Sequence, residues 1–401
     1  MTPEWERLPQ ELAYKMAVAS ISTGCGIDGL EIVSLVCLEF TNDLHAIRML
    51  VRLSLLFIIA GGIGGSCSNS NKGTPVKNLF VFGDSYSDEG QLSYYTSHND
   101  SAPPPGTVLP TSNDTASGGY TWPYFTSKKL GAKTYNYAVS GAVCSNDIVS
   151  RWFPSVTEYQ VPTFQADVKY ARNTPNTTFF QDRTADNSVY ALYVGTNDLG
   201  VDGFLRDLQV EGKVITDYIE CIWSVFDSIY ASGGRRLILF NTAPLETSPL
   251  YAAQENGGSG NVNYWTNKTS YDGLEYENKM LEYTTTINTA FDYGAPFELL
   301  VKRRWPGASV TIFDVHQIIL DIYHTPERYL NSPANATGYY YHCDDLDSNG
   351  DSTGLCTTSD DPLSSFLWYD SLHPSERAEE IVASKLVEAI RGDSKYATTY
   401  T

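Results

Sequence analysis

Phe80-Val81-Phe82-Gly83-Asp84-Ser85-Tyr86-Ser87-Asp88 joins an apolar run, residues 78–82, to an abrupt Gly-Asp-Ser turn. The run reads as a buried strand, and the turn presents the Ser85 hydroxyl at the strand's carboxyl end. In open α/β sheets, ligands and chemistry collect at that edge. Gly, Asp and Ser are also ordinary turn residues, so the stretch takes its meaning from what recurs downstream.

The same grammar repeats. Residues 134–139 give a short strand signal that turns out through Ser140-Gly141-Ala142, and residues 188–194 form an unbroken apolar strand ending in Gly195-Thr196-Asn197-Asp198. Further strands fall at 236–240 and 310–313. Helices are expected at 122–129, 217–232, 274–293, 295–303 and 375–391. In 217–232 the residues Ile222, Val225, Phe226 and Ile229 make one apolar stripe at helical spacing, and Gly233-Gly234 stops it. The polar, Pro-rich segment 93–119 reads as a surface loop. Strands apolar on both faces and alternating with helices predict a parallel sheet covered on both sides. The fold class is therefore α/β, a three-layer α/β/α sandwich with about five parallel strands, in one domain spanning 77–401.

Bulk composition narrows the function. The 401 residues are 42% hydrophobic and 18% charged, with a net charge of -20. A large core is possible and general disorder is not expected. The negative charge argues against nucleic acid and anionic membranes as partners, since both call for Lys/Arg surfaces. The 28 Tyr and 16 Phe serve first for core packing; Trp122, Trp152 and Trp265 are candidates for a sugar-binding surface, with core or rim packing as the alternative for each.

The first 76 residues read differently. Met49-Leu-Val-Arg-Leu-Ser-Leu-Leu-Phe-Ile-Ile-Ala60 is a start Met, one positive charge and an apolar run, followed to Ser66 by residues that are all small except Ile63. Residues 49–66 have the layout of a secretory signal peptide, too short for a comfortable membrane span. Residues 1–48 then read as a non-native or disordered extension ahead of the true start, the alternative being an internal signal-anchor. Residues 67–76 are a polar linker.

Secretion carries two further expectations. Asn99, Asn113, Asn176, Asn267 and Asn335 each stand in an Asn-X-Ser/Thr sequon. Of seven Cys, Cys25, Cys37 and Cys67 precede the mature domain, leaving Cys144, Cys221, Cys343 and Cys356. Four Cys permit three pairings. A short polar loop favours Cys343–Cys356 and hence Cys144–Cys221, with free buried thiols as the alternative for the second pair. Asp345-x-Asp347-x-Asn349-Gly350 imitates half a calcium loop, but its twelfth position is Cys356 rather than Glu; it reads as a solvated loop, and no metal is expected.

The strand ends supply what acyl transfer needs: a nucleophile, a base, an orienter for the base, and donors for an oxyanion. Ser85 is the hydroxyl. Gly141 offers an unobstructed backbone N–H, and Asn197 a side-chain amide. In Tyr369-Asp370-Ser371-Leu372-His373-Pro374 an acid stands three residues before a His. Asp370 is thus the candidate to hold the His373 tautomer. His316 and Asp314 are the rival His and acid. Asp84 and Asp198 read as structural hydrogen-bonding groups.

Gly83-Asp84-Ser85, Gly141, Gly195-x-Asn197-Asp198 and Asp370-x-x-His373, in that order, resemble the four blocks of the GDSL or SGNH hydrolase superfamily. Tyr135-Asn-Tyr-Ala-Val-Ser-Gly-Ala-Val-Cys144 and Leu367-Trp-Tyr-Asp-Ser-Leu-His-Pro-Ser375 are similar to fungal carbohydrate esterase family 16 acetylesterases. The resemblance covers about residues 77–391. It implies a flavodoxin-like fold and a cofactor-free Ser85–His373–Asp370 esterase. Ser85, Gly141 and Asn197 would form its oxyanion hole. It also implies activity on acetylated hemicellulose oligosaccharides or another small ester. A secreted monomer with no stable membrane partner is expected. A lipid acylhydrolase for longer chains and a catalytically silent carbohydrate-binding protein are the rivals.

Overall fold

The computed structural model describes residues 74–343 and 353–401, all within one compact unit, Ser70–Thr401. The readings of residues 1–48 and 49–66, most of the 67–76 linker and the calcium-like loop lie outside the described residues. Five strands form the parallel part of the central sheet: β1 (Asn78–Gly83), β2 (Lys133–Asn136), β3 (Ser188–Tyr193), β4 (Arg236–Phe240) and β5 (Ser309–Phe313). Their spatial order is β5-β4-β3-β1-β2, and every neighbouring pair is parallel. The order reverses at β1, so the sheet has its topological switch point beside the strand that carries Ser85. A sixth strand, Ala397–Tyr400, adds antiparallel to the β5 edge; it was not expected, because four residues of Ala-Thr-Thr-Tyr show too little period-2 pattern to read.

The strands are apolar on both faces because both faces are covered. The register places Phe80 beside Tyr135 on one side and Tyr190 on the other. The three rings stack at 4.9 and 4.6 Å, with Phe164 edge-on to Phe80 at 5.6 Å. Stacked and edge-to-face pairs of this kind add to simple area burial. Phe164 comes from the helix Val161–Asn173, which packs beside helix Ile215–Ala231, itself beside Gly273–Pro296. Helices Trp122–Leu130, Glu376–Arg391 and Val315–His324 pack together as the other layer. The α/β/α sandwich is as expected.

Among the described residues, the α-helices Gln91–Ser97, Val161–Asn173, Thr196–Leu199 and Val315–His324 lie outside the helices expected from the sequence. The first overlaps the polar segment 93–119, and the second carries Pro162 in its opening turn, where Pro is tolerated but reads as a breaker. Conversely, 295–303 is not a separate helix. Gly273–Pro296 runs directly into the π-type turn Phe297–Val301, a local widening that accommodates a Pro without a backbone donor. Both expected disulfides form, Cys144–Cys221 and Cys343–Cys356. No helix of the described residues is long and apolar enough to cross a membrane.

Candidate active site

The sheet's carboxyl edge gathers the four blocks. β1 ends at Gly83, whose φ of +153° leaves no room for a side chain: a Cβ would lie 2.1 Å from the Tyr193 carbonyl oxygen of β3. Close approach of two strands at the turn therefore requires glycine. Asp84 ties the next turn. Its Oδ1 accepts from the Tyr86 N–H, and its carbonyl accepts from Ser87 and Asp88, the structural role read for it. This turn projects the Ser85 hydroxyl toward the far end of the chain.

There, His373 Nε2 lies 2.8 Å from Ser85 Oγ. His373 Nδ1 lies 2.9 Å from Asp370 Oδ2 and 3.0 Å from Oδ1. A carboxylate only accepts, so Nδ1 carries the proton and Nε2 is the acceptor for the Ser85 O–H. Asp370 Oδ1 also accepts the backbone N–H groups of Leu372 and His373 at 2.8 and 2.7 Å. The three-residue spacing thus closes a small turn on its own carboxylate. Burial pushes the Asp370 carboxyl up, but the charge and hydrogen bonds of His373, with the Leu372 N–H, outweigh it and hold the group below its usual range. Ser85, Asp370 and His373 are all buried to within a few per cent.

Gly141 follows β2 with φ +81°, its Cα pressed on the Phe153 ring. Neither its N–H nor that of Ser85 donates to another described group. Asn197 follows β3, and its Nδ2 donates to the Ala142 carbonyl at 2.9 Å, which spends one amide proton and leaves the other. The adjoining Asp198 accepts from the Cys144 N–H at 2.9 Å, a structural bond as expected. Asp84, Glu89 and Asp198 are buried near the turn, and burial pushes their carboxyls to about 6, about 7 and about 7.

The rivals fall away. His316 Nδ1 sits against the Thr242 carbonyl, and Asp314 caps helix Val315–His324. Trp122 is not a substrate platform. It is fully buried, its ring tilted against Phe240 with centroids 4.6 Å apart, and its Nε1 donates to Ser87 Oγ. As the first residue of a helix under Glu376–Arg391, it is core. Trp152 is 61% exposed and packs edge-on to Phe153, so it remains open to a ligand beside Gly141. Among the described residues, no His/Cys/Asp/Glu group forms a metal site.

Two contributors were missed. Asp88 Oδ2 accepts from Ser140 N–H at 2.8 Å, and its Oδ1 accepts from Gly90 and Gln91, locking the Ser85 turn to the Gly141 turn. The acidic residue three after Ser85 was its only visible signal. Tyr264 Oη donates to Asp370 Oδ2 at 2.9 Å, and nothing local in the sequence marks it.

A family model for the GDSL-like lipase/acylhydrolase matches residues 79–386 of this chain. The chain belongs to that family. An acetylesterase of Hypocrea jecorina is 46% identical over 329 residues, covering 80% of this chain and 91% of its own length. An acetylesterase of Thermothelomyces thermophilus is 26% identical, covering 62% and 86%. A GDSL esterase/lipase of Arabidopsis thaliana is 23% identical, covering 53% and 55%. As a member of the GDSL family with these relatives, the chain is a carboxylic ester hydrolase.

Proposed function

We propose that the chain is a secreted acetylesterase that deacetylates carbohydrate through an acyl-enzyme on Ser85. The 2.8 Å contact of His373 Nε2 with Ser85 Oγ, in the tautomer that Asp370 holds, is the observation that carries it. Ser85 Oγ attacks the ester carbonyl while its proton passes to Nε2. The Ser85 N–H, Gly141 N–H and remaining Asn197 amide proton take the oxyanion. The C–O bond to the alcohol breaks, and His373 returns the proton to the leaving oxygen. Water then attacks the acetyl carbon, giving its proton to His373. Acetate leaves, and Ser85 regains its hydrogen.

The acetyl reading draws support from the names of the Hypocrea and Thermothelomyces relatives. Exposed aromatic surface at Trp152 and Tyr264 supports a sugar on the alcohol side. Secretion is supported by two disulfides, which persist in oxidising compartments, and by four of the five sequon asparagines, Asn99, Asn113, Asn176 and Asn267, being exposed. Asn335 is half-buried, with its Oδ1 held by the Thr337 and Gly338 N–H groups; we place it last for glycan occupancy.

The test is ester release from acetylated xylo-oligosaccharides and from acetyl, butyryl and octanoyl nitrophenyl esters, beside Ser85→Ala. Turnover of the sugar and acetyl esters, abolished in the variant, is the expected result. A preference for octanoyl would move the function to lipid acylhydrolysis. A folded protein without hydrolysis would leave only binding.

A further inference from the structure

Tyr264 lies 106 residues from Asp370 in sequence yet donates its hydroxyl to the one carboxylate oxygen that the local turn leaves free. Oδ1 is taken by the Leu372 and His373 N–H groups, so Oδ2 receives the Tyr264 Oη as well as the imidazole. The Tyr264 ring also stands edge-on to the His373 ring at 5.6 Å, and Tyr86 does the same at 5.6 Å. Tyr86, however, is fully buried, whereas Tyr264 is 37% exposed. Of these two rings against His373, Tyr264 is the one that reaches solvent.

The mounting is rigid. Val262 and Trp265 pair antiparallel through mutual backbone bonds of 3.3 and 2.9 Å, so Asn263 and Tyr264 form the tip of a two-residue hairpin. Both flanks are buried, Trp265 in a cluster with Tyr251, Tyr271 and Tyr276. Buried Lys268 donates to the Pro249 and Ala252 carbonyls, and Leu250 N–H donates to the Ser371 carbonyl at 2.7 Å. Lys268 thereby ties the segment that presents Tyr264 to residues 249–252, and Leu250 ties those to the Asp370–His373 turn. Burial and the Asp370 charge push the Tyr264 hydroxyl well above its ordinary value, so it stays a donor. The hydroxyl is committed to Asp370, and the residue is 37% exposed.

We propose that Tyr264 is a positioning residue for Asp370 and His373 and, through its exposed ring, the carbohydrate platform of the acyl site. The second half rests on the carbohydrate-ester reading above; the first does not. Pyranose C–H faces pack on aromatic rings while hydroxyls stay solvated, and a ring anchored by its own hydroxyl does so at little entropic cost.

The experiment compares Tyr264→Phe and Tyr264→Leu with wild type on nitrophenyl acetate and on acetylated xylo-oligosaccharide. Tyr264→Phe keeps the ring and removes the donor. It should lower kcat by about tenfold on both esters, the low end for a hydrogen bond to a charged group, with KM for the sugar ester unchanged. Without that donor, Asp370 holds the imidazolium more tightly. The acidic limb of kcat/KM therefore moves to higher pH, and the downfield His373 Nδ1–H resonance shifts. Tyr264→Leu should further raise KM for the sugar ester by about fivefold, the scale of one aromatic contact, and not for nitrophenyl acetate.

An unchanged pH profile and an unchanged Nδ1–H resonance in Tyr264→Phe would overturn the positioning role. Equal KM changes on the two esters in Tyr264→Leu would overturn the platform. Wild type that ignores the sugar ester would refute the carbohydrate reading and the platform with it, while nitrophenyl acetate still decides the positioning role. If Tyr264→Phe melts below the assay temperature, Asn263→Gly, which loosens the hairpin tip and keeps the hydroxyl, should shift the acidic limb in the same direction; no shift overturns the role.

Discussion

Gln160 grips Gly83 with both ends of its side-chain amide: the Gly83 N–H donates to Oε1 at 2.9 Å, and Nε2 donates to the Gly83 carbonyl at 2.7 Å. The amide pairs both backbone groups of Gly83 at the point where β1 gives way to the Ser85 turn, beside the Val139 N–H that also donates to the Gly83 carbonyl. Gln160 is fully buried, so no water substitutes for it. Gln160→Leu leaves the Gly83 N–H unpaired in the interior, while the Gly83 carbonyl still accepts the Val139 N–H at 3.1 Å, and should cost about 1–3 kcal/mol. Urea unfolding measures it. A loss under 1 kcal/mol would mean that the turn finds other partners, and kcat with nitrophenyl acetate should fall alongside because Ser85 is two residues away.

Gly141 faces a double constraint. Its φ is +81°, and an added Cβ would sit 2.4 Å from the Phe153 ring. Gly141→Ala should lower kcat by about 10²–10³, the scale of one lost oxyanion donor, with much smaller change in KM. Adding Phe153→Ala removes the clash but not the backbone strain, so only part of the activity should return. Full recovery would show that the ring, not the backbone conformation, sets the N–H position.

Buried carboxyls make the pH dependence of stability unusual. Asp84, Glu89 and Asp198 have ordinary values of 3.8, 4.5 and 3.8 and are pushed up to about 6, 7 and 7. Between those limits the folded chain holds protons the unfolded chain has released, so stability falls as pH rises. Asp370 has the opposite sign: its contribution is present above 3.8 and lost as pH falls through its lowered folded value. Tm should therefore peak near pH 4–5 and decline toward 7. Asp198→Asn keeps an acceptor for the Cys144 N–H and removes one titrating group, so its Tm profile should be flatter over that interval. A wild-type Tm that climbs from pH 5 to 7 would contradict this.

The Cys144–Cys221 bridge spans 77 residues and fastens the Gly141 turn to helix Ile215–Ala231. Closing a loop of that length stabilises by about 4 kcal/mol in the chain-entropy description. The double Cys144→Ser, Cys221→Ser variant should lose most of that in denaturant unfolding. Removing Cys343–Cys356, which closes 13 residues, should cost less. Equal losses would point to native-state contacts rather than loop closure.

What the sequence determined by itself was everything that short-range chemistry encodes. Apolar runs broken by Gly at 83, 141 and 195 marked strand ends in a parallel sheet. The stripe through Ile222, Val225, Phe226 and Ile229 marked a helix, and Asp370-x-x-His373 marked an acid and an imidazole able to share one turn. These are signals of period, turn stereochemistry and spacing, legible wherever the partners lie within a few residues. Tertiary structure alone decided which distant groups meet. It buried Trp122 under a helix from the other end of the chain and left Trp152 open, although neither residue's neighbours distinguish the two. It brought Gln160 to Gly83 and the hydroxyl of Tyr264 to Asp370 across 77 and 106 residues. Such contacts follow from strand order and loop anchoring, and both are properties of the whole fold that no local pattern carries.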